Sequence, residues 1–384
     1  MIPMLRRLTC AALGACAAAA LAAAPAIAQG HGAAPSPSDA DFPLDAATRS
    51  AVVESLAVAV QRWYVFPDKG AALAKDLRRR AAKHEYDGIT SQRVFADSLL
   101  AHMQAFTHDG HMRVHFRAQP WPKQAENEGP PPAEERARQL AAERRQNFGF
   151  QRVERLPGNV GYLDLRSFSG LPEAQATAVA AMNFLANCDA VIVDVRRNGG
   201  GDPNLLQTVL TYFVEPGDRL HINDFYLRQG DRTEQYWSAS QVPGPRLNGK
   251  PLYVLTSPLT GSCAEEFAYD VQTHQLGTLY GATTAGAANP GGLFPLSDHL
   301  AAFIATGRAI NPVTHTNWEG VGVKPDHDVP PGDALREAHV AAVTKLLEHP
   351  ADDDHRALLG RALERAKATA SDPADDFVRG PRRR

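Results

Sequence analysis

Cysteine is scarce in this chain of 384 residues: there are four. Two of them, Cys10 and Cys16, fall in the first 28 residues. Only Cys188 and Cys263 remain beyond that stretch, which excludes a disulfide scaffold. Cys188 sits in an apolar run before an expected strand, and no pairing with Cys263 is expected. Metal-ligand spacings are missing as well. No His-Glu-x-x-His or Cys-x-x-Cys occurs and the 14 histidines are scattered, so neither a metal nor a cofactor is expected. Neither sign of charge prevails: 40 Lys and Arg against 43 Asp and Glu leave a net charge of -3. Without a basic stripe, a nucleic-acid partner is not expected. No internal repeat is present.

A long uninterrupted apolar run is also lacking. The stretch from Leu8 to Ala24 is dominated by alanine and ends at Pro25, which argues against a permanent membrane span. With Arg6 and Arg7 before it and Ala26-Ile27-Ala28 after it, residues 1–28 read as a cleaved export signal. The mature protein is then expected in the periplasm or secreted. Leu13-Gly14-Ala15-Cys16 resembles a lipoprotein cleavage site, and only lipidation at Cys16 would tie the chain to a membrane. The apolar stretch before Cys16 is very short, so the soluble exported form is the expectation.

The 44% hydrophobic content suits a globular chain with a sizeable core. Residues 29–44 read as a flexible lead-in. Apolar residues at helical spacing between Asp45 and Gln61, Lys69 and Lys83, and Ser91 and Gln104 predict three helices, and His111 to Phe116 alternates like a strand. Together these make a small helical N-terminal domain over 45–117. Residues 118–147, rich in Pro, Glu, Arg and Gln, read as a charged connector, partly helical; a PDZ-like domain would need several strands there, and none is expected. From 148 to 350, strands (Val160–Leu165, Ala190–Val195, Leu252–Leu255, Gly277–Thr284) alternate with helices. That pattern predicts an α/β domain with a largely parallel sheet and crossovers. Residues 351–384 are assigned to a C-terminal helix and a disordered tail.

Two segments could carry chemistry. Leu255-Thr256-Ser257-Pro258-Leu259-Thr260-Gly261-Ser262-Cys263-Ala264-Glu265-Glu266-Phe267 runs from a buried strand through a small-residue turn into a helix. A serine there stands at the sheet's carboxyl edge, beside the free N–H groups and positive pole of a helix start. The plainer alternative is that Ser262 only caps the helix, with Glu265 completing a capping box. The second segment, Asp194-Val195-Arg196-Arg197-Asn198-Gly199-Gly200-Gly201, puts three glycines after a strand, where backbone N–H groups can approach a ligand. A simple strand–helix turn and a phosphate cradle are the alternatives, and no Lys-Ser/Thr ending of the phosphate-loop type follows.

Taken together, "DVRRNGGG" and "LTSPLTGSCAEEFAYDVQ" resemble the two signature segments of the tail-specific peptidase family, S41. "NFGFQRVERLPGNVGYLDLRSF", "GATTAGAANPGG" and "TGRAINPVTHTNWEGVGVKPDHDV" resemble its branch similar to interphotoreceptor retinoid-binding protein, as does the helical segment before "THDGHMRV". The likeness spans roughly residues 45–345. It implies a crotonase-like (ClpP-like) sheet with crossover helices, plus the small helical domain. One branch of the clan pairs its serine with a lysine after a "GxxTxGK" turn; here Ala287 holds that position. The other, represented by tricorn protease, uses serine with histidine and glutamate. That pattern matches His111 in Asp109-Gly110-His111 and Glu319 before Gly320-Val321-Gly322-Val323-Lys324-Pro325-Asp326.

The resemblance thus implies a serine peptidase acting on peptides or proteins, with Ser262 as nucleophile, His111 as base and Glu319 orienting the imidazole. Cys263 N–H with Gly199 or Gly200 N–H would form the oxyanion hole. A non-catalytic protein holding an apolar, retinoid-like ligand on the same scaffold is the runner-up, and an esterase or amidase would use the same serine. His108 and His115 are neighbouring alternatives to His111. Glu319 alone reads equally as a turn carboxylate, and Cys263 as a reactive thiol. Gly110 stands where the tricorn-like set has a hydroxyl residue, so the link between His111 and Glu319 is open. Residues 218–250, with Phe225, Tyr226, Tyr236 and Trp237, are expected to form a substrate-facing flap.

Overall fold

The computed structural model describes residues 41–121 and 132–377. The expected signal, Cys16, the lead-in up to residue 40, residues 122–131 of the connector and the Gly380–Arg384 tail lie outside the described residues. Three helices open the fold: α1 (Ala46–Trp63), α2 (Pro67–Ala82) and α3 (Gln92–Thr107). Each starts where the sequence supplies a start signal. The Asp45 and Ser91 side chains accept from Thr48 and Val94 N–H, and Pro67 stands at the head of α2. Their apolar faces meet in one core built on Val52, Leu56, Leu73, Leu77, Phe95 and Leu99.

The chain continues through β1 (Arg113–Phe116), α4 (Ala133–Arg145), β2 (Phe150–Leu156), β3 (Val160–Leu165), α5 (Ala174–Leu185), β4 (Ala190–Asp194) and α6 (Pro203–Thr211). A hairpin of β5 (His221–Leu227) and β6 (Arg232–Trp237) precedes β7 (Leu252–Thr256), α7 (Cys263–Thr273) and β8 (Thr278–Gly281). Then come β9 (Gly291–Pro295), β10 (Leu300–Ala305), β11 (Gly307–Ile310), β12 (His327–Asp328), α8 (Ala334–Leu347) and α9 (Asp353–Lys367).

The main sheet has the order β12-β8-β7-β4-β3-β2, parallel except for β2, which runs antiparallel to β3. Strands β3, β4 and β7 are buried at every residue, which explains their unbroken apolar sequences. Alternate residues serve two cores. Leu163, Val191, Val193 and Val254 pack with α5, α6 and α7 on one face. Tyr162, Ile192, Tyr253 and Leu255 pack with α8 and α9 on the other. This is the α/β architecture with a helical N-terminal region that the sequence predicts.

Two arrangements were not legible beforehand. Strand β1 pairs antiparallel with β10, Arg113 opposite Phe303, and Leu300, Ala302 and Ile304 complete the core of the N-terminal helices. The helical region therefore shares its core with residues from the far end of the chain. The segment after α9 is also docked, at least to Phe377. Asp372 reaches Arg196 at 2.8 Å, Asp376 reaches Arg197 at 2.9 Å, and the Phe377 ring lies under both guanidinium groups. Among the described residues, no helix is long and apolar enough to cross a membrane.

Candidate active site

Because β4, β7 and β8 are adjacent and parallel, the turns after them meet at one edge of the sheet, the usual place for a site in such folds. Side chains and backbone stitch these turns together. Thr260 Oγ1 donates to Val195 O at 2.8 Å, Ser257 Oγ to Arg196 O at 2.5 Å, and Gly261 N–H to Asn198 O at 3.0 Å. Beneath them, buried Arg196 forms a two-pronged ion pair with Asp194, and Tyr162 donates to the same carboxylate. That pair fixes the exit from β4.

Ser262 sits at the head of α7 with φ 55° and ψ −124°. This is a costly conformation for a residue with a side chain. The capping box with Glu265 is present, its carboxylate accepting Ser262 N–H at 2.8 Å. Capping alone does not explain the backbone. The chain's ordinary caps, Asp45 (φ −85°, ψ 169°) and Ser91 (φ −115°, ψ 130°), are extended, as N-caps usually are. Ser262 is bent into an elbow instead.

The glycine turn is the reason the elbow fits. A Cβ on Gly200, whose φ is +110°, would stand 2.6 Å from Ser262 Cβ and 3.0 Å from Cys263 N. Gly200 N–H is already given to Asn198 Oδ1 at 2.8 Å, so of the two glycine N–H groups expected at an oxyanion only that of Gly199 stays in question. Gly199 lines the cleft beside Ser262, and a Cβ there meets nothing within 4 Å.

That cleft, of about 220 Å³, is lined by Ser262, Gly199, His111, Gly110, His115, Phe303 and Ala287, among others. Ala287, at the lysine position of the serine–lysine branch, thus presents only a methyl group. His111 faces Ser262's cleft without a hydrogen bond to it, and its Nδ1 has no partner. Burial lowers its pKa below the ordinary 6.5; Asp109 and the Asn289 backbone oppose that effect and Arg113 adds to it. Burial thus favours the neutral imidazole. His115 lines the same cleft from the exposed side of β1, whereas His108 closes α3 in the left-handed conformation and is exposed.

The acid partner is arranged differently from expectation. Glu319 does not touch the imidazole. Its Oε1 accepts Gly110 N–H at 2.5 Å, and its Oε2 accepts Ala288 and Asn289 N–H at 2.7 and 3.0 Å. Gly110 cannot carry a hydroxyl side chain here, since a Cβ would collide with Gly286 O. Where the resemblance has a hydroxyl, the Gly110 peptide N–H meets Glu319. Asp109, buried, completes the mount: its Oδ1 accepts His111 N–H at 3.0 Å and its Oδ2 accepts Asn289 Nδ2 at 3.0 Å. Burial, with Asp109 close by, pushes Glu319 up to about 7 despite its three N–H donors.

Asp109, Asn198, Glu265 and Asn289 were not singled out as functional from the sequence. Only Glu265 left a signal, as a capping residue, and the structure gives it more. Besides Ser262 N–H, its carboxylate accepts from Thr284 Oγ1 at 2.5 Å, Gly286 N–H at 2.6 Å and Ala287 N–H at 2.9 Å. One buried acid ties the Ser262 elbow to the neighbouring loop. Burial first, then Glu266, Asp202 and Asp270, push the Cys263 thiol well above the usual range. Cys188 and Cys263 are both free.

On the other side of Ser262 lies a second pocket of about 190 Å³. Phe225 and Tyr236 of the β5–β6 hairpin line it, with Trp318, so part of the expected flap does face the site. Tyr226 and Trp237 do not line it; Trp237 stacks on His221 at 4.2 Å.

Comparisons with known proteins bear on the family and the fold. Residues 159–329 match the model of peptidase family S41, and residues 46–147 match the N-terminal domain of that family in eukaryotic IRBP. The chloroplastic carboxyl-terminal-processing peptidase 2 of Arabidopsis thaliana is 28% identical over 188 residues, covering 47% of this chain and 35% of that protein. The chain thus spans about a third of the length of that curated relative. Two solved structures share the fold, each with a TM-score of 0.50. A lipoprotein from Streptococcus agalactiae is 14% identical, covering 79% of this chain and 98% of its own. A Parabacteroides merdae protein assigned as a peptidase is 17% identical, covering 84% and 99%. With both family models aligned over the helical region and over the sheet that holds Ser262, the chain belongs to peptidase family S41.

Proposed function

We propose that this chain is an exported serine-type peptidase, with Ser262 as nucleophile, His111 as general base and acid, and Glu319 as the carboxylate that positions the histidine-bearing loop. The observation that carries the reading is the elbow at Ser262. A strained serine heads a helix, a glycine is packed against its Cβ, and the His111 imidazole lines the same cleft. Strain of this kind collects where function needs it. Catalytic hydrogen bonds often tighten only when substrate binds, so the absence of a Ser262–His111 bond is compatible with the role.

In this reading Ser262 Oγ attacks the peptide carbonyl carbon as its proton passes to His111. The oxyanion is received by Cys263 N–H, at the unsatisfied first turn of α7, and by Gly199 N–H. Collapse breaks the C–N bond, and His111 returns the proton to the leaving amine. Water, deprotonated by the same imidazole, then releases the acyl group from Ser262. Glu319 and Asp109 act on the backbone around His111 rather than on its ring. Export rests on the leader ending at Ala28.

The runner-up, storage of an apolar ligand, has less support. The two clefts beside Ser262 are about 220 and 190 Å³, below the roughly 300–1,000 Å³ of sites that enclose drug-sized ligands. Labelling with a fluorophosphonate probe tests the proposal. The folded wild type is expected to label and Ser262→Ala is expected not to. A folded wild type that does not label, or a Ser262→Ala variant that labels equally, overturns it.

A further inference from the structure

Ser262 stands between two cavities, and each must take a different part of a substrate. The cleft that holds His111 lies on the leaving-group side, because the imidazole must deliver a proton to the departing amine. The opposite pocket is left for the side chain of the residue whose carbonyl is attacked. Its lining is unusual in composition. Phe225, Tyr236 and Trp318 supply aromatic walls, and Glu234 and Glu266 are its charged residues; it contains no lysine, arginine or histidine.

Glu266 matters most among these. It is 4% exposed, lies one turn into α7 from Ser262 and lines the pocket. Its Oε1 accepts Asn223 Nδ2 at 3.1 Å, and among the described residues no donor bonds its Oε2. A buried carboxylate with a free oxygen is costly in isolation and is stabilised by a partner that brings a donor or a positive charge. Glu234, at the outer side, is already paired with Arg232 at 2.9 Å, so the uncompensated acid is the deep one.

We propose that this pocket binds a basic side chain, lysine or arginine, of the residue on the acyl side of the scissile bond, with Glu266 pairing the cation and the aromatic walls holding its stem. The assignment rests on the peptidase reading above and names the substrate class of that same site. A pocket of about 190 Å³ admits one side chain of this length. Aromatic faces attract a cation as well as covering the methylenes.

The charges around Glu266 point the same way. Asp270 follows one turn later on α7, buried, with an unpartnered Oδ2; Asp202 begins α6, Glu234 comes from β6, and Cys263 lies beside it. None of these is a cation. Burial raises Glu266 to about 7 and Asp270, facing Glu266, well above the usual range. A cation entering the pocket would compensate this pair of buried acids.

The test uses fluorogenic peptide amides that differ only at the acyl-side residue: lysine, arginine, norleucine, phenylalanine and glutamate. Norleucine removes the charge of lysine and keeps its stem. The wild type is expected to favour lysine over norleucine by about 10-fold or more in kcat/KM, the scale of a hydrogen-bonded charge. In Glu266→Gln the lysine-to-norleucine ratio, measured within that protein, is expected to fall towards one through a higher KM for lysine. Equal or better cleavage of norleucine or phenylalanine by the wild type overturns the inference, as does an unchanged ratio in folded Glu266→Gln. Should the variant not fold, the wild-type ratio decides alone. Cleavage without basic preference defeats only this inference, whereas no cleavage together with no labelling of Ser262 defeats the peptidase reading and this with it.

Discussion

Glu319 holds His111 by way of Gly110: the carboxylate accepts the Gly110 N–H at 2.5 Å and never meets the imidazole. Glu319 thus acts on the loop that carries His111, and it reaches Ala288 and Asn289 N–H with its other oxygen.

Glu319→Gln is therefore expected to reduce both activity and stability. The amide keeps one acceptor, yet turns an NH₂ towards backbone N–H donors. Leaving buried donors unpaired costs about 1–3 kcal/mol each. We expect a lower Tm and a loss of fluorophosphonate labelling rate of at least ~10-fold. A variant that labels at the wild-type rate would show that His111 does not depend on this mount.

The pH profile follows from the buried ring. General base catalysis needs neutral imidazole, and burial, the largest influence, holds His111 below the ordinary 6.5. Labelling of Ser262 is expected to fall on the acid side with an apparent midpoint below that value. Asp109 is the chief group opposing the shift, so Asp109→Asn moves the midpoint lower still. An acid limb centred above 6.5 in the wild type would contradict the burial argument.

Gly200 and Gly199 should respond in opposite ways to the same substitution. Gly200→Ala adds a Cβ 2.6 Å from Ser262 Cβ at a φ of +110°, and strain of about 1–3 kcal/mol from the backbone alone is expected. The elbow must shift, and with it the labelling of Ser262. Gly199→Ala meets nothing within 4 Å, and the wild-type Tm should be kept. Comparing the two melting curves checks this, and an equal loss in both would refute it.

Glu265→Ala removes the acceptor of four donors from Ser262, Thr284, Gly286 and Ala287. A loss of roughly 3–5 kcal/mol in unfolding free energy is expected, as when one side of a buried polar network is deleted. Chemical denaturation measures it. A loss under ~1 kcal/mol would mean that water replaces the carboxylate at little cost.

Much of this molecule was written along the chain. Unbroken apolar runs at Val160–Leu165, Ala190–Val195 and Leu252–Leu255 mark strands that the structure buries on both faces; Asp45 and Ser91 mark helix starts through local bonds, and Pro67 through its fixed φ. The serine's position at a strand–helix junction was legible for the same reason, since a turn followed by a helix is decided by neighbouring residues. What no local pattern encodes is pairing between distant segments. Strand β1 finds β10 far along the chain, Arg113 opposite Phe303, and that pairing brings His111 to the cleft of Ser262. The carboxylate roles of Glu319, Glu265 and Glu266 depend likewise on which N–H groups and side chains folding delivers to them. A sequence names the acids and bases it carries; their protonation and partners are set by burial and proximity, which exist only once the chain has folded.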